Sequence, residues 1–277
     1  MTYFYYPCSS VIDELKPSIH LYLLGIEKNP FLCLVTKDRF LLKSQQNMVN
    51  IPNILTLLNL IAGSIAIYCT LINNYTAVIV LFLAALLFDF LDGFMARLLN
   101  QTSEIGKQLD SLADLISFGL LPTFLLLDLI ERTVYIPEQP YFLAIFILPA
   151  AAAFRLGKFN ITPSDVQGFS GMPTPAMAWI VMGLWLFATP QNAYIFPFLT
   201  QPYLILIISC ILAILMNVNL AFLKFTISPL KSPSTIKSLI LILLSVIIAF
   251  VDWRMIGIVS GLAYILLSFL GLKTIKK

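Results

Sequence analysis

Long blocks of apolar residues, separated by short polar or proline-bearing gaps, run from about residue 51 to about residue 272 and leave few architectures open. A helix needs about 20 apolar residues to cross the hydrocarbon core of a bilayer. Eight candidate spans can be marked, near 54–72, 76–98, 109–130, 141–157, 176–190, 202–222, 237–251 and 255–272. Some are short for a perpendicular span. Prolines mark several of the breaks: Pro137 and Pro140, Pro173 and Pro175, Pro229 and Pro233. Composition agrees with the pattern. Charged residues make up 11% of the chain, against roughly 25% in a soluble domain, and the mean hydropathy is +0.91. A water-soluble fold would have no polar coat for so much apolar surface. The expected fold is an all-α integral membrane protein of about eight transmembrane helices, with no internal repeat and no low-complexity segment.

The placement of basic residues predicts an orientation. One set of gaps, with the tail, carries Arg97, Lys107, Arg155, Lys158, Lys224, Lys231, Lys237, Lys273, Lys276 and Lys277; the alternate gaps carry only Arg132 and Arg254. Both termini and the first set of loops are therefore expected to face the cytoplasm, in a multi-pass protein of the cell membrane. Residues 1–47 differ in kind, with five basic residues, four acids and no long apolar run. They do not read as a signal peptide. They are expected to be either a cytoplasmic extension or the product of a mis-assigned start, with Met48 as the alternative start. The four cysteines (Cys8, Cys33, Cys69, Cys210) form no CxxC pair, which argues against a zinc site or a disulfide framework. The only histidine, His20, lies far from every motif below. An imidazole base is not expected.

The chemistry is concentrated where the second span ends and the third begins. Asp89 and Asp92 are three apart, and Asp110 and Asp114 four apart, so each pair shares a helix face. A short connection near 98–107 would fold the two helices back as neighbours. Four carboxylates would then converge near the cytoplasmic ends of two antiparallel helices. A carboxylate at the centre of a spanning helix costs about 2.5–3.5 kcal/mol on insertion scales, and four together repel one another. Divalent cations would offset both costs, and hard oxygen ligands suit Mg²⁺, Mn²⁺ or Ca²⁺. Paired metals held by carboxylates are a recurring device for displacement at phosphorus. Gly93, Ala96 and Gly106 remove side-chain bulk beside the acids, where a nucleotide could approach the backbone. Ordinary helix packing would also use small residues there.

The stretch Asp89-x-x-Asp92-Gly93-x-x-Ala96-Arg97, eight residues, then Gly106-x-x-x-Asp110-x-x-x-Asp114 resembles the signature of the CDP-alcohol phosphatidyltransferases at every defining position. The resemblance covers roughly residues 50–222. It implies a six-helix core over 48–222, with two additional C-terminal transmembrane helices in 223–277. It also implies roles. Asp89, Asp92 and Asp110 would bind metal, two Mg²⁺ or Mn²⁺ ions being expected. Asp114 would be the catalytic base and also touch a metal. Gly93, Ala96, Arg97 and Gly106 would line the CDP-lipid site. Arg97 alternatively reads as a positive-inside anchor. Asn53 and Thr56, where the first span opens, could touch the nucleotide, and Asn53 could equally cap the helix.

A second cluster concerns the acceptor: Arg155-Leu-Gly-Lys158-Phe-Asn160, then Gly168-Phe-Ser-Gly171-Met-Pro173-Thr174-Pro175-Ala176. With the Ile51–Gly63 opening it resembles the serine-transferring branch of the same family. That implies CDP-diacylglycerol and L-serine as substrates. Arg155, Lys158 and Asn160 are the candidate groups for serine or phosphate, since Arg offers a bidentate fork to a carboxylate. The positive-inside rule alone would also place both cations there. A phosphorylated acceptor such as glycerol 3-phosphate or inositol phosphate is the nearer alternative, and would want more cations. An ion-coupled transporter is the farther one, and predicts acids spread through the bilayer. A homodimer in membrane lipid is expected, and no nucleic-acid partner.

Overall fold

In a bilayer every backbone polar group must be paired within the protein, and helices achieve this segment by segment. The computed structural model describes residues 50–132, 140–161, 171–188, 196–218 and 252–269, together with residues 245 and 248. All regular elements among the described residues are helical. They comprise α1 (Ile51–Leu71), α2 (Tyr75–Leu98), α3 (Glu104–Glu131), α4 (Ile147–Ile161, preceded by a 3₁₀ turn Pro140–Phe146), α5 (Thr174–Phe187), α6 (Pro202–Asn217, preceded by the single turn Phe196–Leu199) and α7 (Ile256–Phe269). Four segments are long and apolar enough to cross a membrane: Ile51–Leu71, Tyr75–Leu98, Glu104–Glu131 and Leu143–Ile161; α5, α6 and α7 are shorter apolar helices. The expected span 237–251 lies outside the described residues apart from 245 and 248, as do residues 1–49.

The first three helices form an up-down-up unit. Asn73, in the left-handed region at φ 58°, turns the chain between α1 and α2, and the Asn74 side chain accepts from the Ala77 N–H to cap α2. At the other end Asn100, at φ 52°, ends α2, and the Ser103 hydroxyl accepts from the Gly106 N–H to open α3. The third span thus starts at Glu104 rather than near 109. Its first turns carry Glu104, Lys107 and Gln108, polar enough to hide a helix from a hydropathy reading.

Helix α3 is the centre of the bundle: 72% of its most apolar stretch is buried, against 22% for α2. It is not regular. Residues Leu115–Leu120 form a π turn between two α-helical halves, beginning immediately after Asp114. Ser117 in that turn donates to the Asn59 carbonyl of α1 at 3.0 Å. Gly63 permits the approach, because a Cβ there would collide with the Ser117 side chain and backbone. Wide turns of this kind occur frequently at functional sites.

The later helices close around α3. Helix α4 packs on α6, where Asn217 Nδ2 donates to the Ala151 carbonyl at 3.1 Å. Helices α5 and α7 run antiparallel. Gly183 and Gly257 approach so closely that a Cβ on either would strike the other's backbone, Gly261 meets Ile180, and Trp179 Nε1 donates to Ser260 Oγ at 2.9 Å. This register carries the buried Tyr264 toward the first turn of α5.

At the end of the bundle away from the aspartates, Asp128 is clamped. Its Oδ2 accepts from Arg132 at 2.5 Å and from Trp185 Nε1 at 2.6 Å. The same guanidinium donates to the Ala188 carbonyl at 3.0 Å and lies 5.1 Å and 5.6 Å from the centroids of the Tyr75 and Trp185 rings. Helices α2, α3 and α5 are joined there by one cation.

Candidate active site

The antiparallel α2–α3 pair brings the expected acids together. One carboxylate oxygen from each of Asp89, Asp92 and Asp110 lies within 4.8 Å of the others. Asp92 is buried, and Asp89 and Asp110 are half-buried. Three carboxylates so close in a weakly screened environment repel strongly unless a cation sits among them. An all-oxygen donor set of this kind fits a hard divalent ion.

The surroundings show how the acids are held. Thr56 Oγ1 lies 2.6 Å from Asp92 Oδ2 and 3.0 Å from the Pro52 carbonyl, so the hydroxyl ties a candidate metal ligand to the first turn of α1. Thr56 therefore supports Asp92 directly. Asn53, also buried, packs beside Gly106, where an added Cβ would lie 3.0 Å from its Oδ1. The opening of α3 needs that glycine for close contact with α1. Gly93 differs, since a Cβ there would meet nothing within 4 Å. Open space beside Asp92 is what a bound nucleotide would require. Ala96 is half-buried on the same turn, and Arg97 is exposed, its Nε donating to the Gly93 carbonyl at 2.9 Å.

Asp114 stands one helical turn beyond Asp110 and is nearly enclosed, at 8% exposure. Its Oδ2 accepts from Thr174 Oγ1 at 3.3 Å, its carboxylate lies within hydrogen-bonding reach of that of Asp89, and its Oδ1 is buried and receives no hydrogen bond from an N–H or hydroxyl donor among the described residues. Thr174 Oγ1 in turn accepts from Arg155 Nη1 at 3.5 Å. Arg155 is buried on α4, so the cation of the second motif reaches the fourth acid through one hydroxyl. Lys158 is exposed on the same helix. Asn160 Nδ2 donates to Ser111 Oγ at 2.9 Å and Gln108 Oε1 at 3.3 Å, clasping α4 to α3 beside the acids.

Thr174 is delivered by a rigid turn. Gly171 has φ +92° and abuts the Met216 carbonyl, where a Cβ would not fit, and the Met172 N–H donates to the Leu215 carbonyl at 3.0 Å. Pro173 then leads directly into α5. Gly168 lies outside the described residues.

Sequence reasoning placed these motifs on one side of the bundle without seeing the hydroxyls that join them. Thr174 was visible only as part of a motif. The inward polar stripe Asn53, Thr56, Asn59 on α1 had a signal, helical spacing in an otherwise apolar helix. Tyr264 had none: it reaches the neighbourhood of Arg155, near enough for phenol and guanidinium to interact, only through the packing of α7 on α5.

Comparison with known proteins identifies the family. The CDP-alcohol phosphatidyltransferase family model matches residues 49–267. The CDP-diacylglycerol–serine O-phosphatidyltransferase of Helicobacter pylori is 31% identical over 202 residues, covering 72% of this chain and 81% of the relative. The enzyme of that name from Bacillus subtilis is 35% identical over 127 residues, 45% of this chain and 69% of the relative. That from Methanocaldococcus jannaschii is 32% identical over 152 residues, 55% of this chain and 67% of the relative.

Proposed function

This chain belongs to the CDP-alcohol phosphatidyltransferase family, and from that premise we propose that it transfers the phosphatidyl group of CDP-diacylglycerol to the hydroxyl of L-serine, giving phosphatidylserine and CMP. The observation that carries the reading is the joining of two clusters at one end of the bundle: three convergent carboxylates beside open space at Gly93, and a buried arginine linked through Thr174 to a fourth acid.

Asp89, Asp92 and Asp110 would hold divalent metal, two Mg²⁺ or Mn²⁺ ions being the expected complement, with Asp114 at their edge. When bound, such ions neutralise charge on the donor's diphosphate. Gly93, Ala96 and Gly106 leave room for the nucleotide, with Asn53 and Arg97 at its margin. Arg155 is the group suited to serine's carboxylate, with Lys158 and Asn160 nearby on α4. Asp114 accepts the proton of the serine hydroxyl. The serine oxygen forms a bond to the phosphorus that bears diacylglycerol. The bond from that phosphorus to the bridging diphosphate oxygen breaks, and CMP departs with its electron pair. The bias of basic residues supports a cytoplasmic active site, at the membrane face where serine and CMP exchange with water.

The test is CMP release by purified protein with CDP-diacylglycerol and a panel of L-serine, glycerol 3-phosphate and inositol phosphate. Serine should be preferred, and phosphatidylserine should be the product. Asp114→Asn should lower serine-dependent turnover by about 10²–10⁴-fold, with no recovery in excess Mg²⁺. Preference for a phosphorylated acceptor would overturn the choice of substrate. Full rescue of Asp114→Asn by metal would overturn the choice of base.

A further inference from the structure

The Gly171–Ala176 turn places one hydroxyl between the buried arginine and the fourth acid. A guanidinium can only donate hydrogen bonds, and an ionised carboxylate can only accept them. A hydroxyl does both, so one placed between them makes a chain with a single direction. Thr174 Oγ1 occupies that place, accepting from Arg155 Nη1 at 3.5 Å and donating to Asp114 Oδ2 at 3.3 Å. Thr174 is itself fully buried, at 0% exposure. Its backbone is fixed by the Gly171 turn against α6 and by Pro173 at the mouth of α5.

We propose that Thr174 is a positioning residue for the transfer reaction, joining Arg155 to Asp114 so that the Asp114 carboxylate keeps one orientation toward the acceptor hydroxyl. The inference rests on the reading of Asp114 as base and Arg155 as carboxylate ligand. It explains why the arginine and the acid come from different helices, α4 and α3, yet act on one small molecule. Serine's carboxylate and hydroxyl are separated by only two carbons. The groups that read them must therefore keep a fixed separation, and the Thr174 hydroxyl supplies the fixed point. Both contacts are long. Catalytic hydrogen bonds commonly tighten only when substrate is bound, so occupancy by serine is expected to draw the three groups together.

The experiment compares Thr174→Val and Thr174→Ser with the parent enzyme in detergent micelles containing CDP-diacylglycerol and Mn²⁺. Removing hydrogen bonds to charged groups is worth about 10- to 100-fold. Thr174→Val should therefore lower kcat with serine by that factor and leave donor KM near the parental value, with a modest fall in thermal midpoint because Arg155 and Asp114 each lose a buried partner. Thr174→Ser should recover most of the rate, because the hydroxyl is restored. If Thr174→Val does not fold, Thr174→Ala is read in the same way. A valine or alanine variant turning over at the parental rate would overturn the proposal. So would a joint loss of kcat, donor affinity and thermal midpoint that Thr174→Ser fails to restore, since that marks a packing role. Failure of the parental enzyme to release CMP in response to serine would instead refute the substrate reading, which separates the two ideas.

Discussion

Asp128→Ala tests whether the clamp at the far end of the bundle anchors the fold without entering the chemistry. The substitution removes a carboxylate whose one oxygen accepts from Arg132 at 2.5 Å and from Trp185 at 2.6 Å. The two side chains of the ion pair retain only 11% and 18% of their exposure, so solvent screens the pair little. Losing one partner of a buried pair strands the other, at a cost of about 3–5 kcal/mol. The stranded guanidinium keeps the Ala188 carbonyl and the faces of Tyr75 and Trp185, which argues for the lower part of that range. The thermal midpoint should fall by on the order of 10 °C. The double variant Asp128→Ala/Arg132→Met removes both charges, and should cost less than the sum of the single changes by about 0.5–3 kcal/mol. Asp128 lies roughly 20 Å along α3 from Asp114, at 1.5 Å rise per residue, so kcat at a permissive temperature should be unchanged. Thermal unfolding in detergent, followed by intrinsic fluorescence with activity measured in parallel, reads both quantities. Unchanged stability, strict additivity in the double variant, or a lowered kcat in a stable protein would each refute the reasoning.

Two further outcomes follow from the acidic end. Thr56→Val removes the 2.6 Å contact to Asp92, and loss of such a supporting bond typically weakens metal affinity about 10- to 100-fold; a Mn²⁺ titration followed by electron paramagnetic resonance should show the shift, and unchanged affinity would refute the supporting role. Ser103→Cys, with the native cysteines replaced, places a thiol in the α2–α3 connection; labelling in intact cells should require a membrane-permeant reagent, and labelling by an impermeant one would invert the orientation.

The described helices lie close to where apolar runs and prolines placed them, because a membrane span needs mainly length and hydropathy. The four aspartates were equally legible, since helical spacing alone decides which side chains share a face. What escaped was settled by tertiary packing. The start of α3 is amphipathic and depends on the Ser103 cap. The π turn at Leu115–Leu120 leaves no trace in hydropathy; its marks are Gly119 and Pro122, whose missing N–H leaves a gap in the α ladder, and it forms where Ser117 can bond to α1 past Gly63. The Arg155–Thr174–Asp114 chain joins three helices distant in sequence, so no local pattern could announce it.

The π turn also divides α3 into two rotational settings. In a regular α-helix each residue advances the azimuth by about 100°, so the inserted or deleted residue that a wide turn absorbs would otherwise swing everything beyond it. Here the turn lies between the half that carries Asp110 and Asp114 and the half that carries Asp128 and ends at the capping Arg132. Losing one residue within 115–120 can be taken up by tightening the turn to α geometry, with both halves still facing their partners and the Ser117 bond as the main sacrifice. The same loss at 105–109 or 122–127 finds no such slack, and would turn one group of polar side chains about a quarter-circle away from its neighbours. The wide turn is thus a slip joint in an otherwise stiff rod, allowing the reactive end and the anchored end to be kept in phase with different parts of the bundle.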